Sequence, residues 1–94
     1  MSDDINKAEI MAIMADKLVL LRANLNMKQG DLASKVGISR QTLYEYEKKK
    51  RPMTWNTFLA ILSVCREDTS TCALLEHFSI YSQKLSKYLI SSER

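Results

Sequence analysis

Candidates for catalysis are few in this chain. His77 stands alone among hydrophobic and polar neighbours with no nucleophile spaced to pair with it, which assigns it to packing or to the surface. Cys65 and Cys72 form no CxxC pair, so they read as buried or half-buried thiols, and neither a zinc site nor a disulfide framework is indicated. The carboxylates are scattered over solvent faces, and the expectation is a non-enzymatic protein with no cofactor and no metal. What remains is hydrogen-bonding chemistry. Arg40, Gln41, Tyr44 and Glu45 lie on one side of a short predicted helix, opposite Leu43 and Tyr46. An arginine can donate twice to guanine at O6 and N7, and a glutamine can pair twice with adenine at N6 and N7. Glu45 either accepts from a cytosine amino group or repels phosphate and so sharpens specificity. Tyr44 either stacks on sugar and phosphate or lies across the surface of the helix pair.

The charge pattern agrees with such a surface. The net charge of +3 is modest, but between Arg22 and Arg51 eight bases face three acids, a balance of +5, while the rest of the chain sums to −2. An excess gathered in the middle third is the electrostatic footprint expected for a phosphate backbone. The run Lys48, Lys49, Lys50 and Arg51 directly follows the predicted helix, so it reads as a phosphate contact in preference to a merely solvated loop.

A chain of 94 residues supports one domain. Only Gly30, Gly37 and Pro52 punctuate the chain, too few turn residues for a sheet protein, which favours an all-α fold. Asp3 and Asp4 can cap a long first helix, or two pieces, ending near Asn24, with Ile5, Ala8, Met11, Ala12, Ala15, Leu18, Val19 and Leu21 or Arg22 spaced for one face. Gln29 to Val36 forms a second helix stopped by Gly37, and Ser39 caps a third from Arg40 to Glu47. Pro52 ends the basic run, and Thr54 caps a fourth helix with Trp55, Phe58, Leu59, Ile61, Leu62 and Cys65 as its apolar set, Trp55 being read as core. Arg66 to Ser70 reads as a loop. From Thr71, Leu74, Phe78, Tyr81, Leu85 and Tyr88 recur at spacings of 4, 3, 4 and 3, a heptad seam on one extended C-terminal helix. The expected fold is a five-helix bundle.

Two short helices crossing steeply need a small residue at their contact, a residue tolerant of positive φ in the turn and an apolar anchor on the second helix. Ala33, Gly37 and Leu43 supply these, and Leu32, Val36, Ile38 and Tyr46 fill the other inward positions. On these residues the segment Gln29 to Leu43 resembles the core of the Cro and phage-repressor family, also called the Xre family, the likeness running from about Asp16 to Cys65. The resemblance implies a lambda-repressor-like fold and a transcriptional regulator, read as a repressor, that binds double-stranded DNA at a near-palindromic operator as a homodimer. It implies base reading by Ser39, Arg40, Gln41, Tyr44 and Glu45, and a phosphate contact by Gln29. With Lys28, Thr42 and the run from Lys48 to Arg51, Gln29 completes the expected phosphate-binding set. It also implies a pairing of Arg22 with Glu47. Two departures stand out. Gly30 replaces the usual helix former after Gln29, at a cost of about 1 kcal/mol in propensity. Lys49 stands where the family has a glycine, so the end of the third helix does not carry over.

Residues 1–69 are thus expected to hold the DNA-binding unit with an N-terminal helical extension. Residues 70–94 form a C-terminal helix that dimerises through Leu74, Phe78, Tyr81, Leu85 and Tyr88, all within one structural domain. The same seam would alternatively pack on the protein's own first helix. No apolar stretch approaches the roughly 18 residues that cross a bilayer, and Met1-Ser2-Asp3-Asp4 is acidic where a secretory signal is basic. A soluble, cytoplasmic protein is expected, bacterial or phage-encoded and nucleoid-associated by the resemblance. The rival reading is an antitoxin-like or other protein-interaction module whose C-terminal helix binds a partner protein.

Overall fold

Side-chain caps start the helices. In the computed structural model, which describes residues 5–92, Asn6 accepts the Glu9 N–H at 3.0 Å and opens α1 (Lys7–Asn24). Asp3 and Asp4, the expected caps, lie outside the described residues. The Asp31 carboxylate accepts the Lys28 N–H at the head of α2 (Gln29–Val36). Ser39 accepts the Thr42 N–H at 3.0 Å to open α3 (Arg40–Glu47), and Thr54 accepts that of Thr57 to open α4 (Trp55–Arg66), both as the sequence predicts. Asp68 and Ser82 cap α5 (Thr69–His77) and α6 (Gln83–Ser92) in the same way. The expected loop from Arg66 to Ser70 is accordingly shorter. Asp68-Thr69-Ser70 is polar enough to look like a linker, yet it is a cap and the beginning of a first turn.

Four of these helices end alike. At Asn26, Gly37, Lys49 and Ser79 the chain takes a positive φ of 61°, 81°, 59° and 62°. In each case the next N–H reaches back to a carbonyl five residues earlier, as in Met27 to Arg22 and Lys50 to Glu45. This is the Schellman termination, normally a glycine's position. The ends of α1 and α3 fall where the sequence places them, near Asn24 and at Glu47, and the end at Ser79 is the one that sequence reading missed. Lys49 occupies the glycine geometry of the family despite its side chain, and Ser79 breaks the C-terminal region in two.

That break corrects the five-helix expectation. All six elements among the described residues are α-helices, and the extended C-terminal helix is instead α5 and α6 joined at Ser79 to Ser82. The spacing of Leu74, Phe78, Tyr81, Leu85 and Tyr88 is heptad-like, but no continuous helix carries it. The buried apolar set in this region is Leu75, Ile80 and Leu85, which join Met14, Leu18, Leu21, Leu32, Leu43, Phe58 and Ile61 in one core.

The face of α1 is also corrected. Met14, Leu18 and Leu21 are buried, whereas Val19 and Leu20 are 52% and 49% exposed and Ala8 and Ala12 face solvent. Helix α1 is apolar on nearly every side, so spacing alone does not select the buried one. Helices α3, α4 and α5 all pack on α1, and α2 packs on α3 and α4.

Candidate nucleic-acid interface

The α2–α3 pair is fixed from beneath by one carboxylate. Glu47 closes α3 and is almost wholly buried, with 3% of its side chain exposed. Its Oε2 accepts Arg22 Nε at 2.8 Å, and its Oε1 accepts both Arg22 Nη2 at 3.2 Å and Gln29 Nε2 at 2.8 Å. Arg22 Nη1 donates to the Met27 carbonyl at 3.2 Å. The end of α1, the start of α2 and the end of α3 are thereby tied at one point. The pairing of Arg22 with Glu47 implied by the resemblance is present. Gln29 is turned inward to this carboxylate, while Lys28 beside it is exposed.

Steric fit sets the crossing. Ala33 and Leu32 are buried against Leu43 and Tyr46, and Gly37 adopts its left-handed turn with open space around it. A Cβ built at Gly30 would lie 3.9 Å from Arg40 Cδ, an ordinary contact, so no crowding demands a glycine there. With Leu43 and Tyr46 inward, the 100° step of the helix turns Gln41 and Lys48 directly outward, with Tyr44 and Glu45 flanking them on either side. Ser39, Arg40, Gln41 and Lys48 are exposed, and Thr42, Tyr44 and Glu45 are half-buried. Thr42 accepts the Ser39 hydroxyl at 2.9 Å. Lys48 and Lys50 place their ammonium groups 5.7 and 5.8 Å from the Tyr44 ring centre, gathering two cations on its face.

The outward face carries its own ion-pair arrangement. Glu45 Oε2 accepts Gln41 Nε2 at 3.2 Å, and Glu45 Oε1 accepts Arg51 Nε at 2.8 Å with Arg51 Nη2 in ion-pair contact at 2.8 Å. The Gln41 amide, followed by the Arg51 and Lys50 charges, holds the Glu45 carboxyl below the usual carboxylate range. Lys49 behaves differently from its neighbours. Its ammonium pairs with Asp16 of α1 at 2.5 Å, and that contact holds the Asp16 carboxyl low as well. The basic run is therefore split, with Lys49 turned back to α1. Sequence reasoning missed Asp16 and the partnership of Gln41 with Glu45, although the spacing of four between the latter two was readable.

The expected dimer residues are spread over the C-terminal half. Leu85 is enclosed at 1% exposure. Tyr88 meets the edge of Trp55, which stacks on Phe58, and Lys7 sits over both Trp55 and Tyr88. Phe78 lies under Lys17, Tyr81 lies under Arg66, and Leu74 is half-buried. His77 is exposed beside Phe78. Burial, helped by the nearby Asp68 and Cys72, pushes the Cys65 thiol up to about 12, the property of an inert structural thiol.

No helix among the described residues is long and apolar enough to cross a membrane. A family model described as helix-turn-helix, HTH_3, matches residues 18–70, more than half of the chain. No curated protein and no solved structure matches.

Proposed function

The chain belongs to the helix-turn-helix family HTH_3, the Cro and phage-repressor type of DNA-binding regulator, and from that premise we propose that it reads a specific duplex sequence and acts as a repressor. The observation that carries this reading is the placement of Arg40 and Gln41 in the first turn of the Ser39-capped α3, both exposed, with Gln41 on the side opposite the buried Leu43 and Tyr46 and Arg40 on the flank toward α2. A helix presented by its N-terminal turn fits a major groove, with side chains on base edges and the helix dipole near phosphate. Arg40 and Gln41 then read base edges, with Ser39, Tyr44 and Glu45 around them. Lys28, Thr42, Lys48, Lys50 and Arg51 lie toward the backbone, and Gln29 and Lys49 join them on release from Glu47 and Asp16 respectively.

We further propose that two protomers bind half-sites about 34 Å apart on a near-palindromic operator. The monomer core already encloses Leu85 and engages Tyr88, so Leu74, Phe78 and Tyr81 contribute to a dimer only through their half-exposed edges. Val19, Leu20 and Ile90 are further exposed apolar side chains. Light scattering tests the assembly: a dimer mass at tens of micromolar is expected, and a monomer mass overturns it. Selection of bound sequences from a random duplex pool tests the function. A single enriched motif with two-fold symmetry is expected, and a pool left unenriched at low salt overturns the reading.

A further inference from the structure

We infer that Arg51, outside the recognition helix, sets base specificity by holding Glu45, which in turn fixes the amide of Gln41. The inference rests on the proposed base-reading role of α3. Its ground is the division of one carboxylate between two partners: Oε1 takes both Arg51 nitrogens and Oε2 takes the Gln41 amide nitrogen.

A free glutamine can turn its amide over and present either order of donor and acceptor to a base. Glu45 removes that choice, because an ionised carboxylate only accepts, and so it must receive Nε2 and never Oε1. An amide nitrogen has two hydrogens. When Glu45 takes the one trans to Oε1, the other lies on the same edge as Oε1, the donor and acceptor pair that adenine requires at N7 and N6. Guanine presents two acceptors there, and the fixed Oε1 then meets an acceptor. Arg51 supplies the rigidity. Without its fork, a glutamate with 25% of its side chain exposed is free to turn into solvent, and Gln41 is released with it. Arg51 is a positioning residue in this arrangement, and its charge is only part of its contribution.

The test compares full-length wild-type protein with Arg51→Ala, Arg51→Lys, Glu45→Ala and Gln41→Ala against every single-base variant of the selected operator, with thermal melts of each as a check on folding. Ordering one side chain is worth about a two- to tenfold factor in binding. Arg51→Ala and Glu45→Ala should therefore cut the preference at the Gln41 position by that factor, beyond any loss common to all sequences. Arg51→Lys should keep the common affinity while recovering little of the preference, and in a Gln41→Ala background Arg51→Ala should change common affinity alone. A preference that Gln41→Ala erases but Arg51→Ala leaves intact overturns the relay while the proposed function stands. Wild-type protein that binds no duplex overturns both.

Discussion

The helix-turn-helix and the α5–α6 pair share one core but are held to it by different chemistry. The first is anchored by directional bonds converging on Glu47, from Arg22 and Gln29, together with residue-specific fits at Ala33 and Gly37. The second is anchored chiefly by the burial of Leu75, Ile80 and Leu85 and by ring contacts at Phe78, Tyr81 and Tyr88, with the Asn24 amide on the Ser70 and Thr71 hydroxyls as its directional tie to α1. Apolar burial is indifferent to angle, whereas a forked ion pair is not. A helix that must point its first turn at a partner needs orientation at several points, and a pair that closes the end of a core needs mainly coverage.

Truncating the covering region gives the largest expected effect. Leu85→Ala removes an enclosed side chain and should lower unfolding stability by about 2–5 kcal/mol, read by urea denaturation and independent of protein concentration. A loss that vanishes on dilution would make α6 an intermolecular element and break the comparison. Glu47→Gln should cost about 3 kcal/mol, because the Arg22 guanidinium, with 17% of its side chain exposed, is left uncompensated. A near-neutral result would mean that fit alone orients α3.

Smaller effects sharpen the contrast. Gly30→Ala should raise stability by about 1 kcal/mol, since the new Cβ meets only Arg40 Cδ at 3.9 Å and helix propensity improves. A melting temperature lower than wild type would show that the backbone of α2 needs the glycine. Ser79→Gly should add about 0.5 kcal/mol by relieving a left-handed serine. Its smaller return reflects the entropy that glycine restores to the unfolded chain.

The same contrast explains what was legible beforehand. The caps at Ser39 and Thr54, the turn at Gly37 and the inward Leu43 were readable because each is a demand on one residue type at one position, whereas the Arg22–Glu47 pair came only from the family resemblance. The division of α5 from α6 was not. Leu74, Phe78, Tyr81, Leu85 and Tyr88 satisfy heptad spacing whether or not the helix continues, and Ser79 carries no compositional mark of a left-handed turn. The buried face of α1 was hidden for a related reason, since Val19 and Leu18 are equally apolar and only the arrival of α3, α4 and α5 decides between them. In the site, the outward face of α3 was visible from periodicity, but the sharing of Glu45 between Gln41 and Arg51 depends on where the chain goes after Lys49.

Glu47 also bears on the order in which the chain assembles. Its partners lie 25 and 18 residues upstream, so the carboxylate cannot be satisfied until three separate helices have met. A half-built form with α3 seated on α2 and α1 still absent would enclose a negative charge without its arginine, a state disfavoured by several kcal/mol. Partial assembly is thus penalised at the very place where a reading head would otherwise loosen. The end of α1, all of α2 and the end of α3 should open to solvent as one cooperative unit in native-state hydrogen exchange, so that the groove-facing turn is either fully aimed or fully lost.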